Sequence, residues 1–469
     1  MVKILLAEAP YTYADSIVKG EPYFPLGIGY IASYIRTVPE RAVRMFVGDM
    51  AQFRTEMKRN PPDVLGISSM TNTYPGAAEM ARTAKQCCPN CRIILGGQHV
   101  SSVGADVLRE IPEADFLCIG EGEQLTDAFL KEIESGREDW KSIPGLVYRT
   151  SEGIERNPPG GLMEDIEKLP FPARDLVDLT RYRSHGQMRF GGQAASLITS
   201  RGCPWRCTYC SSNVTMGRKY RPLSPDYVVS EFEELYRRYG VRTVVVWDDL
   251  FTFDHDRVED ICGRLVRRGI KVKWFCQSRT DRMTPELARI MHRAGCRAIS
   301  FGIESGNEST LERIRKKVKL DVVERSIRCC RQAGIRTQGT FILGFPWERP
   351  DQMADTVRFA LKSELDIAIF FSFTPFPGTH EWQFVPEGRR PANVEEWSTF
   401  VCNNRAGRTW NSYLDDHEMK TVISKAHWRF YMRPVQVLRI ARSIRSVENL
   451  LGVVQNAFSM LSSLAGTRI

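Results

Sequence analysis

A chain of 469 residues is long for one domain and points to two or three. Hydrophobic residues make up 42% and charged residues 26%, so a sizeable core can form and wholesale disorder is excluded. The net charge of +9 is modest for this length and fits an anionic small substrate, a membrane surface or nucleic acid alike.

The first segment, Met1-Val2-Lys3, runs into Ile4-Leu5-Leu6-Ala7 before Glu8 breaks the apolar run. That run is too short for a signal-peptide core and reads as a first strand. Thirteen cysteines, an odd number, fit disulfide pairing poorly, so the expected compartment is the reducing cytoplasm. Strands are expected at Lys3–Ala7, Val43–Val47, Val64–Ile67, Arg92–Leu95 and Phe116–Ile119, with helices such as Leu26–Arg36 and Gly76–Gln86 between them. This alternation predicts an α/β domain over 1–150, a Rossmann-like open parallel sheet. Ligands of such sheets bind at the carboxyl ends of the strands. Those ends carry Ser68, Ser69 and Thr71, then Gly96-Gly97-Gln98-His99, then Gly120-Glu121-Gly122-Glu123.

Residues 151–193 read as a linker, being rich in Pro and Gly. A second α/β run is expected over 194–385, with strands at Ala195–Thr199, Thr243–Trp247, Val272–Cys276, Ala298–Ile303, Thr337–Leu343 and Ile367–Ser372. Ser224-Pro225 and Thr284-Pro285 are helix starts, and Gly240, Gly269, Gly295 and Gly334 are helix ends. Six β/α units in a row suggest a partial (β/α)6 barrel of the TIM type, with its chemistry at the carboxyl ends of the strands. From 386 to 469 the pattern is helical. Its basic run Lys425, Arg429, Arg433, Arg439, Arg442 and Arg445 contains no acid. No stretch is long and apolar enough to span a membrane; the longest uncharged one, 449–467, is interrupted by Gln, Asn and Ser.

The most informative segment is Ser200-Arg201-Gly202-Cys203-Pro204-Trp205-Arg206-Cys207-Thr208-Tyr209-Cys210, directly after a predicted strand. Thiolates hold iron–sulfur clusters, normally four per 4Fe-4S cube. Three cysteines within eight residues leave the fourth iron open to another ligand, as in catalytic metal sites. A zinc site is the alternative, but zinc sites usually pair two Cys or Cys/His units, and no second unit lies at suitable spacing.

The C-x3-C-x2-C spacing with Tyr209 before the last cysteine resembles the signature of the radical SAM superfamily. The resemblance implies that Cys203, Cys207 and Cys210 hold a 4Fe-4S cluster that cleaves S-adenosylmethionine (SAM) to a 5′-deoxyadenosyl radical. It also implies contacts to SAM at later strand ends: Asp248 or Asp249 to the amino group, Gln277 and Arg279 to polar groups including the carboxylate, Glu304 and Ser305 to the ribose, and Gly344 on the adenine side. An acid or a Gly at a strand end is otherwise often only a helix cap.

Paired with residues 1–150, the barrel resembles the cobalamin-binding class of radical SAM enzymes. That class includes methylases of unactivated carbon and the anaerobic magnesium-protoporphyrin monomethyl ester cyclase. On this resemblance the strand-end residues from Ser68 to Glu123 bind the corrin. An Asp-x-His-x-x-Gly motif is missing from the first domain, so the cobalt has water or nothing below it, unless His99 serves. A vestigial domain without cofactor is the plainer alternative.

The class implies a cobalamin-dependent enzyme that methylates carbon, with a cyclase or rearranging enzyme on a tetrapyrrole, lipid or natural product as the alternative. A non-catalytic cobalamin or iron–sulfur carrier is the alternative of another class. The expected partners are a small-molecule or lipid-like substrate and a reductant such as flavodoxin or ferredoxin, with no nucleic acid. Cys87-Cys88-Pro89-Asn90-Cys91 could hold a second cluster but reads better as buried thiols, and Cys118, Cys262, Cys276, Cys296, Cys329 and Cys330 read as core. The basic tail with Trp428, Phe430 and Tyr431 suggests peripheral membrane contact, against the plainer reading of a closing helix.

Overall fold

A computed structural model describes residues 1–10, 23–182, 190–402 and 408–443. Seven strands build the first sheet: β1 Val2–Glu8, β2 Arg41–Phe46, β3 Val64–Ser68, β4 Arg92–Gly96, β5 Phe116–Cys118, β6 Leu146–Thr150 and β7 Gly153–Arg156, in the order β2-β1-β3-β4-β5-β6-β7. The first five are mutually parallel. Alternate residues of β1 enter two different cores. Ile4 and Leu6 pack with the helix Leu26–Ile35, and Leu5 and Ala7 pack with the helices Met50–Arg59 and Tyr74–Cys87. A sheet buried on both faces needs such continuous apolar strands.

The antiparallel hairpin β6–β7 was not among the expected strands. Two residues, Ser151 and Glu152, turn the chain between Thr150 and Gly153. Its outer strand, Gly-Ile-Glu-Arg, is short, charged and mostly exposed, which protects a sheet edge from further pairing. The stretch read as a linker therefore begins within this sheet. It goes on to bury Arg174 completely, where the guanidinium holds Glu231 (2.6 Å) and the carbonyl of Ser196 (2.8 Å).

The second sheet is six-stranded and wholly parallel. Leaving aside the two-residue ribbon strands β9 Ser200–Arg201 and β10 Arg221–Pro222, its members are β8 Ala194–Leu197, β11 Thr243–Val246, β12 Lys273–Ser278, β13 Cys296–Glu304, β14 Arg336–Leu343 and β15 Ile367–Ser372. They lie in chain order from β8 to β15, and these two edges do not pair among the described residues, the arrangement of a partial (β/α)6 barrel. Helix punctuation follows the sequence. Ser224 and Thr284 accept from the third amide of their helices, Tyr227 and Leu287. Gly295 has φ +102°, and a Cβ there would stand 2.2 Å from the Val272 carbonyl.

The C-terminal region closes over both sheets. Helix Asp416–Tyr431 buries Met419, Ile423, Ala426 and Phe430 against β15. The segment around Trp397 reaches the first sheet, where its ring meets His99 at 4.6 Å and Tyr74 at 6.5 Å. Among the described residues no helix is long and apolar enough to cross a membrane.

Candidate active site

The three cysteines lie in a loop whose two feet are tied together by β9 and β10. Gly202 opens the loop at φ +86°, and a Cβ would meet the Lys219 carbonyl at 2.2 Å, so only glycine allows this close approach. The Cys203 amide donates to Gly217 O (3.3 Å), and the Cys210 amide donates to Cys207 O (3.3 Å). All three thiols are free and partly exposed. Burial raises Cys203 and pushes Cys210 up to about 12, so iron must displace their protons when it binds. Among the described residues no group of three or more His, Cys, Asp or Glu side chains is arranged to hold a metal ion. Thiolates of a cube each bind a different iron, so they need not converge on one point as zinc ligands do.

The loop rests on fixed side chains. Arg279 lies 4.0 Å over the Trp205 ring, is gripped by both oxygens of Asp281 (2.9 and 3.1 Å) and donates to Lys317 O (3.2 Å). Its guanidinium is thus committed to positioning the loop. Glu304 has φ +72° next to a register shift in β13, a bulge that re-aims the side chain. It pairs with buried Lys316 at 3.0 Å, and Lys316 also reaches the Tyr209 hydroxyl at 3.4 Å. Burial, then the nearby Glu304, raises the Tyr209 phenol. Lys316 escaped the sequence reading because it is one of several consecutive cations. Its signal was position, between the exposed Arg315 and Lys317.

The two neighbouring aspartates differ sharply. Asp248 is 1% exposed and holds the amide (2.6 Å) and hydroxyl (2.5 Å) of Thr199 and the hydroxyl of Ser200 (2.6 Å). It fixes the strand end before the loop and has no oxygen to spare. Asp249 is accessible, bonded to Ser212, and raised by the protein crowding its recess. Gln277 is partly exposed, and its amide side chain makes no hydrogen bond among the described residues. Ser305 is turned inward, bonded to Thr356 (2.8 Å) and to the amide of Asn307 (3.1 Å). Gly344 forms a tight turn capped by Glu348 (2.7 Å), where a Cβ would strike Met419 at 2.3 Å.

The carboxyl edge of the first sheet faces this loop. Gln98 donates to the hydroxyl of Ser211, the residue after Cys210, at 2.5 Å. Glu121 accepts from Arg201 (3.1 Å), from Arg221 (2.8 and 2.9 Å) and from the Met163 amide (2.7 Å), and Glu123 accepts from Arg201 at 2.6 Å. Burial would raise Glu121, but Arg221, Arg201 and the Met163 amide hold it lower overall. These carboxylates, expected at a corrin, instead clamp the strand that leads to Cys203. His99 is wholly buried, bonded to Thr71 (3.2 Å) and packed 4.1 Å from Tyr74, and burial pushes it down to about 3. It presents no open face to a cobalt.

Other strand-end residues remain at the edge. Ser68, Gly96 and Gly120 are partly exposed, with Met70 beside them at 41% exposure. Gly97, at φ +97°, lets the turn close on Ser69, whose carbonyl a Cβ would approach to 2.5 Å. Ser69 is buried, its hydroxyl without a partner among the described residues, and Gly122 packs against Ile31. Small residues, hydroxyls and an exposed thioether suit a large flat ligand rimmed with amides. Cys88 and Cys91 sit at the other end of the sheet, after helix Tyr74–Cys87, and burial pushes Cys91 up to about 12. Cys118, Cys262, Cys276, Cys296 and Cys330 are buried, and Cys329 is partly so.

A three-thiolate loop at the carboxyl edge of one parallel run, facing the carboxyl edge of a doubly wound sheet, defines a radical enzyme of two cofactor-binding domains. Residues 197–360 match the radical SAM superfamily, and residues 17–130 match the B12 binding domain. A Pyrococcus horikoshii protein named as an uncharacterized methyltransferase is 30% identical over 94% of both chains. The anaerobic magnesium-protoporphyrin IX monomethyl ester cyclase of Cereibacter sphaeroides is 27% identical over 74% of this chain and 56% of its own. The cobalamin-dependent SAM radical enzyme OxsB, solved with aqua-cobalamin and SAM bound, shares the fold with a TM-score of 0.77 at 17% identity, over 99% of this chain and 72% of that one. The chain belongs to the cobalamin-dependent radical SAM methylase family, whose cofactors are a 4Fe-4S cluster, SAM and cobalamin.

Proposed function

We propose that the chain methylates a carbon atom of a small-molecule substrate. The observation that carries this reading is the direct contact of the two cofactor edges, Gln98 on Ser211 and Glu121 and Glu123 on Arg201. That contact would let a group held at one edge reach a substrate held at the other. When bound, the cofactors supply a SAM-derived radical and a transferable methyl group. The chain's own residues do the positioning. Cys203, Cys207 and Cys210 would hold the cluster, and Asp249 and Gln277 are the accessible polar groups that would take the SAM amino end. Glu304, locked by Lys316, would contact the ribose. Ser68, Met70, Gly96, Gly97 and Gly120 are the residues that would line a corrin bound at this edge.

On the sheet face opposite the helices, Ser300 and Gln338 are joined at 3.0 Å beside partly exposed Thr340, Ile342, Ile369 and Phe371. A largely apolar substrate with a few hydrogen-bonding groups suits this lining. The cyclase alternative is weaker, because the methyltransferase relative aligns along almost its whole length and the cyclase over about half. The test is anaerobic incubation of the loaded protein with trideuteromethyl-SAM and a strong reductant that brings the cobalamin to the Co(I) state. Methylation predicts trideuteromethyl-cobalamin even without substrate, and label confined to SAM contradicts it.

A second reading concerns peripheral membrane contact, and the structure moves its basis. Arg433 stacks on Phe430 (4.0 Å) and bonds the Leu361 carbonyl, while Arg439 bonds the Leu365 carbonyl (3.1 Å). Phe430 is core, and the Tyr431 hydroxyl bonds Ala368 O (3.1 Å). The Arg442 side chain and Arg445 lie outside the described residues. Lys425 and Arg429 are exposed beside apolar Met432, Val435, Val437 and Leu438, a combination that suits an interface. Salt-sensitive cosedimentation with anionic vesicles supports contact, and failure to cosediment at low salt refutes it.

A further inference from the structure

Burial alternates strictly along β14. Thr337, Gly339, Phe341 and Leu343 are buried on the helix side, whereas Arg336, Gln338, Thr340 and Ile342 are partly exposed on the inner face of the barrel. Strand register sets the neighbours of each. Ala298 stands beside Arg336, Ser300 and Ile367 beside Gln338, Gly302 and Ile369 beside Thr340, and Phe371 beside Ile342. Along the strand, the step from Arg336 to Ile342 covers about 20 Å.

Polarity is graded along that length. At the amino end Arg336 lies over the Phe190 ring at 4.9 Å, and Phe190 packs with Tyr23 and Trp247 on Val245, Phe275 and Ala298 to form a floor. The Arg336 guanidinium has no hydrogen bond or ion pair among the described residues. Asp366, whose charge reaches it, is taken by the Thr337 amide (2.9 Å) and by Arg439 (3.7 Å). A second cation, Lys273, stands at the same end and donates to the Phe190 carbonyl at 3.3 Å. In the middle, Gln338 donates to the Ser300 hydroxyl at 3.0 Å, and its amide oxygen has no partner among the described residues. Toward the cluster loop the face turns to hydrocarbon, with Ile342, Ile369 and Phe371 partly exposed. No acid occupies an inward position of β12 to β15 short of Glu304.

We infer that this inner face binds a small anionic amphiphile in one orientation. Its carboxylate or phosphate pairs with Arg336 at the floor, a polar group along its body bonds Ser300 and Gln338, and its hydrocarbon end lies on Ile342 and Phe371. A partly buried guanidinium without a partner is costly to keep, and a forked donor of this kind suits either anion. The apolar end cannot solvate the charge, so the reverse orientation is disfavoured. The inference deepens the methylase reading and rests on it: a substrate held this way turns a saturated carbon, not its charged head, toward the cluster loop.

The test is calorimetric titration of the anaerobically reconstituted full chain with octanoate, octyl phosphate and 1-octanol. At least one anion should bind about tenfold more tightly than octanol, and the tighter of the two tells carboxylate from phosphate. Arg336→Gln should weaken that anion about tenfold and leave octanol unchanged, whereas Arg336→Lys should keep part of the preference. Ile369→Trp, which fills the middle of the face, should weaken all three probes. Octanol binding as tightly as both anions overturns the proposal, as does absence of binding by every probe. Unchanged anion affinity in Arg336→Gln, or unchanged binding in Ile369→Trp, overturns it equally. If the Arg336 variants do not fold, the wild-type ranking of the three probes decides alone. The trideuteromethyl test needs no substrate, so its failure with this ranking intact refutes the methylase reading and leaves the binding site standing.

Discussion

Replacing Arg201 by Met tests the clamp that joins the two domains beside the cluster loop. Arg201 and both its carboxylate partners are about 6% exposed or less, at 2.6 Å to Glu123 and 3.1 Å to Glu121. Glu121 keeps Arg221 at 2.8 Å, so the group left alone is Glu123. Two unit charges 4 Å apart interact by about 4 kcal/mol at an effective dielectric constant of 20. Breaking such a buried pair by removing one partner costs about 3–5 kcal/mol, because the remaining charge stays desolvated. The single variant should therefore lose about 3 kcal/mol or more in urea unfolding, and Arg201→Met/Glu123→Gln should recover much of that loss. The assay is a double-mutant cycle in urea, with each unfolding transition assigned to its domain. A coupling energy within about 0.5 kcal/mol of zero would refute the clamp.

Glu348 carries a pH signature. Burial pushes its carboxyl from 4.5 up to about 7. The native state holds the extra proton between those values, so stability falls as pH rises through that window. Glu348→Gln keeps an acceptor for the Gly344 amide and removes the charge; it should gain up to about 3 kcal/mol on the wild type by pH 8 and almost nothing at pH 4.5, and a melting-temperature difference that is flat with pH contradicts this. His99→Ala should destabilise the first domain while leaving the spectrum of bound hydroxocobalamin unchanged, and a shift to a ligand-free cobalt spectrum would make His99 the axial ligand.

The cluster loop was legible because its chemistry is written in spacing: three thiols within eight residues must share a loop wherever the chain goes. The strand ends were legible because β/α alternation fixes which edge the loops occupy. Partnering was not. Asp248 and Asp249 are adjacent and identical in kind, yet one is spent on Thr199 and Ser200 and the other is accessible, which depends on how the β8 end packs beside β11. Glu121 and Glu123 read as ligand-edge residues because their partners, Arg201 and Arg221, lie about 80 to 100 residues away. Lys316 was hidden inside a run of cations, and only its burial separates it from its neighbours. The tail was only partly legible, for the reverse reason. A run of basic residues looks like one charged face, but Arg433 and Arg439 turn inward to cap the carbonyls of Leu361 and Leu365.

The most direct test of the central claim is release of 5′-deoxyadenosine from SAM by anaerobically reconstituted protein under a strong reductant. Wild-type protein should hold one oxygen-labile 4Fe-4S cluster and release the nucleoside, whereas Cys203→Ala, Cys207→Ala and Cys210→Ala should each lose both properties. Undiminished SAM cleavage by any one of the three variants would contradict the account.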